Sequence, residues 1–273
     1  MSTSEISATE KATFHRDGVV VLHDVLSPQW LDRLADAIKK NLADPGPFGK
    51  NHAEEGGAYF GDYVNWQRIP DFINVAKSGP LGQVAGELMG AKQVQFFHEH
   101  VLVKEPGNSS ATPWHQDMPY YCVDCPKTVS LWVPLDPVGR SESLNFLKGS
   151  HLGKTTYMPR RFKTLEPLEG DTTQYQAFPP IDEYSDKIAS YAVNPGDVLA
   201  FDFHTLHDAP ANPTDTRRRA ISFRFVGENA RYVTRPHDVS PPFPELGLKL
   251  YMNDPLPEDW FPTVWEKPGA RHS

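Results

Sequence analysis

Cysteine is nearly missing from this chain: Cys122 and Cys125 are the two thiols in 273 residues. Two thiols cannot build a disulfide scaffold, and they point to a reducing, cytoplasmic setting. Long apolar runs are missing as well. The most apolar early stretch, Gly18 to Leu22, falls far short of the ~18 to 20 apolar residues of a membrane-spanning helix. No basic-then-apolar leader opens the chain. Positive charge is also in short supply, with 27 Lys and Arg against 35 Asp and Glu and a formal net charge of −8. An acidic chain without a basic block is a poor match for nucleic acid or an anionic membrane. A small-molecule partner is expected instead, and the oligomeric state is open.

What the chain does have is turn residues, 26 Pro and 19 Gly spread along its length. They cut it into short segments and disfavour long helical bundles. Helices belong to the first third. Ser27-Pro28 is a helix start, and Leu31, Leu34, Ile38 and Leu42 follow on one face before Asp44-Pro45-Gly46. A second helix is predicted over Leu81 to Met89. From Gln93 the period changes to two, which places Val94, Phe96, His98, His100, Leu102 and Lys104 on one face of a strand. Further strands are predicted at Thr128 to Leu135, Ser143 to Leu147, Ala189 to Val193, Asp197 to Phe203 and Ala220 to Val226.

The expected fold is mostly β, a jelly-roll or cupin-like barrel with N-terminal helices packed outside. One domain is expected over 1–273: a mainly helical part (1–92), a barrel core (93–226) and a C-terminal extension (227–273). The irregular segment Thr155 to Lys187 inside the core reads as a lid or binding loop. Trp260, Phe261 and Trp265 in the extension have two possible homes, the chain's own core or a partner.

The sharpest local motif is Thr112-Pro113-Trp114-His115-Gln116-Asp117. Residues two apart in an extended segment project to the same side, so His115 and Asp117 can reach one ion. Two His and one carboxylate with open positions form the facial triad of non-haem Fe(II) sites. Alone, an H-x-D tripeptide arises by chance in a chain with 11 His. A third ligand belongs on a distant strand, and the stretch Gly196 to His207 offers His204 and His207. Arg217, Arg218 and Arg219 follow, and an arginine there could grip a carboxylate with a two-pronged fork.

The order H-x-D, a long gap, then His with Arg eleven residues later resembles the phytanoyl-CoA dioxygenase family of Fe(II)/2-oxoglutarate oxygenases. The matching segments are TPWHQDMPYY (Thr112 to Tyr121), SLWVPLDPV (Ser130 to Val138), LNFLKGSH (Leu144 to His151) and GDVLAFDFHTLHDAPAN (Gly196 to Asn212). The resemblance implies a double-stranded β-helix core. It places the family's metal ligands on His115, Asp117 and His207, with His204 nearby as a supporting or core histidine. Arg218 takes the place of the anchor for the distal carboxylate of 2-oxoglutarate. Trp132 falls where the family has a tryptophan beside 2-oxoglutarate, though a plain core tryptophan is an equal reading. His98 falls where relatives carry a polar cofactor contact. Relatives with a serine two residues after the distal His differ from this chain, which has Ala209.

The implied reaction consumes Fe(II)-bound 2-oxoglutarate and O2, releases succinate and CO2, and hydroxylates a C–H bond. Related halogenases lack the carboxylate, so Asp117 argues for hydroxylation. Candidate substrate contacts are Tyr120 and Tyr121 after the metal motif, Tyr63 and Asn65 in the aromatic stretch, Arg160 in the lid segment, and Arg224, which shares strand parity with Arg218. These side chains predict a small polar substrate, anionic or zwitterionic: an organophosphonate, an amino-acid derivative or a natural-product intermediate. The alternatives are a cupin-type metal isomerase or cofactor-free dioxygenase, and a non-catalytic jelly-roll binding protein. Cys122-Val123-Asp124-Cys125 lacks a second pair for zinc and is read as structural.

Overall fold

The structure is a computed structural model that describes residues 5–51, 57–171 and 173–269. The ends of the expected domain and Thr172 of the lid segment lie outside those residues. The chain opens on a helix that hydrophobic spacing alone does not predict, α1 (Ala8–Asp17), in which only Phe14 is buried. Its signal is local. Ser7 and Glu10 form a reciprocal capping box, and Gly18 ends the helix in the left-handed conformation. After it come β1 (Val19–Leu22), α2 (Pro28–Ala43), β2 (Lys50–Asn51), β3 (Tyr59–Tyr63), α3 (Asp71–Lys77) and α4 (Leu81–Met89). The α2 and α4 helices fall where the spacing predicts them, whereas the two-turn α3 is too short to show a period.

The remaining strands are β4 (Gln93–Lys104), β5 (Thr112–His115), β6 (Val123–Asp124), β7 (Thr128–Pro134), β8 (Asn145–Leu147) and β9 (Ile188–Ser190). They continue through β10 (Val198–Phe201), β11 (His207–Ala209), β12 (Arg218–Gly227), β13 (Arg231–Tyr232) and β14 (Thr263–Glu266). A major antiparallel sheet runs β1-β10-β7-β12-β4-β3-β2, with β14 on β4, and a minor sheet runs β5-β11-β8-β9. This is the mostly β, jelly-roll architecture expected from the strand pattern. Helices α1 to α4 cover the outer face of the major sheet, where Phe72, Leu81, Leu88, Phe96, Val101, Val103, Ile221, Phe223 and Phe225 share one core. Among the described residues, no helix is long and apolar enough to cross a membrane.

Cross-strand register sets what faces inward, toward the minor sheet. Four rows cross the major sheet: Tyr59–Lys104–Arg218, Gly61–Leu102–Ala220–Pro134, Tyr63–His100–Ser222–Trp132–Leu199, and His98–Arg224–Ser130–Phe201. One expectation needs correction here. The β4–β12 register shifts between Arg224 and Phe225, which pair with His98 and Phe96 and leave Phe97 as an extra residue. Such a bulge reverses strand parity. Val94 and Phe96 therefore pack under the helices, not on the face of His98, His100, Leu102 and Lys104. Phe97 turns inward instead, against Tyr121, Phe243 and Phe261.

The C-terminal extension packs on the chain's own core. Phe261 stacks on Phe97 with ring centroids 5.4 Å apart. Trp265 lies so close to α4 that a Cβ on Gly86 would come within 2.2 Å of its ring.

On the helix side of β4, Glu99 is fully buried, with one oxygen accepting from the Asn65 amide at 2.5 Å and Oε2 without a hydrogen-bond partner among the described residues. Burial raises its carboxyl from 4.5 to about 8. Between those values the folded chain keeps a proton that the unfolded chain loses, so stability falls as pH rises, by up to ~1.4 kcal/mol per unit. Above 8 this dependence ends. Urea midpoints should therefore decline between pH 4.5 and 8 in the wild type, and Glu99→Gln should flatten that decline. An unchanged slope in the variant would assign the pH dependence to another group.

Candidate metal centre

His115 closes β5, and the antiparallel register places His207 of β11 directly opposite it. Direct partners share a face, and the two rings approach to 4.2 Å between centroids. Asp117 follows where the strand gives way to a 3-10 turn, with φ −72° and ψ −43°. Its Oδ1 lies 3.8 Å from His115 Nε2. One ligand-capable atom from each of the three side chains lies within 4.8 Å of the others.

Hydrogen bonding fixes which ring nitrogens are free. His115 Nδ1 is 2.9 Å from the Pro113 carbonyl, and His207 Nδ1 is 2.9 Å from the Thr205 carbonyl. A carbonyl only accepts, so each Nδ1 carries the proton and each Nε2 keeps its lone pair. Burial, reinforced by the neighbouring His207, depresses His115 to about 3, and burial lowers His207 as well. Both imidazoles are neutral at physiological pH. Burial alone would raise the Asp117 carboxyl, but Arg224, the two imidazoles and a 2.9 Å bond from Ser130 Oγ to Oδ2 hold it at about 2. Two neutral imidazoles and one carboxylate, all largely buried, fit a divalent ion such as Fe(II), Mn(II) or Zn(II).

A second polar group lies at the first row of the inward face. Arg218 donates to the carbonyls of Glu142 and Pro210 rather than to a carboxylate. Burial pushes its guanidinium down to about 10. Its cross-strand partner Lys104 donates to the carbonyls of Ser110 and Pro210 at 2.6 and 2.8 Å, and burial followed by the charge of Arg218 lowers it to about 7. Between this end and Asp117, His98 Nδ1 and Ser222 Oγ are buried without a partner among the described residues. Buried polar atoms of this kind call for a bound acceptor or donor. Trp132 lies beside Ser222 and also packs into an apolar cluster with Phe146, Leu199 and Phe201.

The expected substrate contacts separate into those near the cleft and those elsewhere. Tyr63 faces inward, its ring 5.3 Å from His100 and 5.0 Å from Phe48. Tyr120 lies by the metal motif, but its hydroxyl is engaged by the main chain of Arg160, donating to the carbonyl and accepting from the amide at 2.8 Å. Two assignments, Tyr121 and Asn65, are corrected, and Arg160 and Arg224 have partners of their own. Tyr121, expected among the substrate contacts, is buried against Phe97, His98 and Phe203. Asn65 is fully buried on the helix side, where it bonds Glu99 and Arg68. The Arg160 guanidinium lies 3.8 Å above the Phe178 ring and donates to the Trp114 carbonyl. Arg224 sits behind Asp117, donating through Nε to the Tyr121 hydroxyl at 2.5 Å, with that Nε 3.7 Å from Asp117 Oδ2.

Two residues near the centre carry no signal in the hydrophobic pattern. Gln116, between the two motif ligands, clamps the lid segment: its amide nitrogen donates to the carbonyls of Thr155 and His204, and its oxygen accepts from the Tyr157 amide. Phe162 from the same segment lies 4.7 Å from the His115 ring and 5.5 Å from Tyr120, and it is 45% exposed. His204 is held by Asp202 at 3.2 Å and lies outside the three-residue cluster.

The family profile of phytanoyl-CoA dioxygenase (PhyH) matches residues 14–220. The chain belongs to the phytanoyl-CoA dioxygenase family. It is 28% identical over 178 residues to the dioxygenase lolE1 of Epichloe uncinata, spanning 63% of this chain and 59% of that protein's length. It is 25% identical over 258 residues to the ectoine dioxygenase of Sphingopyxis alaskensis, covering 88% of this chain and 81% of the relative. Its fold is similar to that of the epimerase SnoN, crystallised with Fe3+, α-ketoglutarate and nogalamycin RO. That match has a TM-score of 0.74, 24% identity, and covers 94% of this chain and 98% of the other. Family and relatives place the chain among the 2-oxoglutarate-dependent dioxygenases, in agreement with the enzyme class that the motifs imply.

Removal of a coordinating imidazole should differ sharply from removal of its neighbour. His207→Ala should abolish tight binding of one Co(II) per chain in anaerobic calorimetry, while His204→Ala should leave affinity within about threefold. The reverse pattern would place the third ligand on His204.

Proposed function

We propose that this family member is an Fe(II)- and 2-oxoglutarate-dependent oxygenase that oxidises an unactivated C–H bond of an uncharged, ring-bearing small molecule. The observation that carries the reading is the meeting of His115, Asp117 and His207, with both Nε2 lone pairs free and Arg218, further along, without a carboxylate partner among the described residues. When bound, iron and 2-oxoglutarate with O2 supply the oxidising power for C–H cleavage, leaving succinate and CO2. The chain's own residues bind, orient and shield. His115 and His207 offer unprotonated nitrogens because backbone carbonyls hold the other ring proton. Asp117 contributes a negative charge whose second oxygen is fixed by Ser130. Arg218 binds the distal carboxylate of the cosubstrate, and Lys104 beside it raises the local positive potential. Gln116 and Tyr120 hold the lid segment over the centre, where Phe162 limits access of water.

The substrate class follows from which polar groups are already engaged. An anionic or zwitterionic substrate needs a cation that faces it. Arg160 stacks on Phe178, and Arg224 is turned to Tyr121 and Asp117. Rings dominate the surroundings instead: Tyr63 with His100 and Phe48 on one side, Phe162 and Tyr120 on the other. Of the three classes expected from the sequence, these walls favour a natural-product intermediate over an organophosphonate or an amino-acid derivative.

Anaerobic reconstitution with Fe(II) followed by 2-oxoglutarate should produce a visible absorption band. Admission of O2 with a panel of ring-bearing compounds should then release succinate in step with an oxidised product. Neither band nor succinate with any compound would contradict the cofactor reading. Succinate coupled only to phosphonates or amino acids would contradict the substrate class.

A further inference from the structure

The inward face of the major sheet carries three buried cations, Lys104, Arg218 and Arg224, and they occupy its two ends. Lys104 and Arg218 are direct partners in the first row, while Arg224 pairs with His98 and Ser130 in the fourth. Leu102, Ala220, Ser222 and Trp132 lie in the rows between. The face is therefore positive at both ends and neutral in the middle. Family resemblance accounts for Arg218 alone.

The Arg224 end also has unmet hydrogen-bonding capacity. Arg224 uses Nε on the Tyr121 hydroxyl and Nη1 on the Ser222 carbonyl. Among the described residues its carboxylate neighbour is Asp117, whose Oδ2 already accepts from Ser130 and whose Oδ1 faces the histidines. His98 Nδ1 and Ser222 Oγ flank it in the neighbouring positions, both buried and both without a partner among the described residues. A cation with one shared counter-charge beside two unsatisfied polar atoms calls for an anion with several acceptor atoms.

The Arg218 guanidinium reaches the Pro210 carbonyl, and Arg224 Nε lies 3.7 Å from Oδ2 of Asp117, a member of the cluster that contains His207. Pro210 is three residues from His207 across a register shift, at most about 10 Å of chain. A five-carbon dicarboxylate with a hydrogen bond at each end spans a distance of that order.

We propose that Arg224, with His98 and Ser222, receives the metal-proximal carboxylate of 2-oxoglutarate, so that buried cations hold the cosubstrate at both ends. This inference rests on the cofactor reading above. It also assigns the buried arginines to the cosubstrate and leaves the substrate side uncharged.

Oxalate carries the metal-proximal end of 2-oxoglutarate without the distal one, so it separates the two ends. Binding of each ligand is measured by calorimetry on the full chain saturated with Mn(II), with Mn(II) affinity measured separately. Arg218→Met should weaken 2-oxoglutarate about tenfold or more and leave oxalate nearly unchanged. Arg224→Met should weaken both ligands by about tenfold or more. His98→Leu keeps the charge beside Asp117 and covers the case in which Arg224→Met fails to fold; it should weaken both ligands by roughly threefold to tenfold. The proposal is overturned if the wild type binds 2-oxoglutarate, Arg218→Met weakens it, and neither Arg224→Met nor His98→Leu weakens oxalate. A loss of Mn(II) affinity in Arg224→Met with unchanged oxalate binding at saturating metal also overturns it, because Arg224 would then only position Asp117. A wild type that binds neither ligand overturns the cofactor reading and this inference together.

Discussion

The direct opposition of His115 and His207 across one antiparallel strand pair is the constraint on which the rest of the site depends. Two imidazoles reach one point only if β5 and β11 pair in that register, since a one-residue slip would turn one ring to the opposite face. The same short minor sheet extends through β8 and β9, and the lid segment lies in the chain between those two strands. The peptide carbonyls two residues before each histidine then select the tautomer. Pairing, ring placement and protonation state thus follow from one local arrangement, repeated on two strands.

The major sheet answers with a face whose chemistry is graded along the strands. Its outer side is covered by helices and built from Val, Ile, Leu and Phe. Its inner side carries Lys104 and Arg218 at one end and His98, Arg224 and Ser130 at the other. Alternation makes this possible, because each long strand can be apolar toward the helices and polar toward the cleft. Segment 155–187 is held by residues between and after His115 and Asp117: Gln116 and Tyr120 bond its backbone while His115 and Asp117 face inward.

The three side chains that meet were legible in the sequence through the family resemblance, carried by H-x-D on one segment and His with Arg eleven residues on in another. The jelly-roll core was legible through short period-two runs divided by Pro and Gly. Parity along β4 was not legible. The bulge at Phe97 depends on how β12 pairs with it, and that pairing spans more than a hundred residues of chain. The same limit explains Asn65 and Tyr121, which lie close in sequence to inward-facing residues but are turned into other clusters by the chain's path. Arg160 has the chemistry of a substrate contact, yet its guanidinium lies over the Phe178 ring, and Arg224 lies against Tyr121 and Asp117 beside the metal cluster. Helix α1 was missed because its packing face is a single Phe, although its capping box was written in Ser7 and Glu10.

The most direct test of this account is an anaerobic crystal structure of the chain with Fe(II) and 2-oxoglutarate. The account predicts one iron held by Nε2 of His115, Nε2 of His207 and Oδ1 of Asp117, with Oδ2 still accepting from Ser130 and the distal carboxylate on Arg218. Iron bound through an Nδ1, a ligand set that includes His204, or a cosubstrate remote from Arg218 would contradict it.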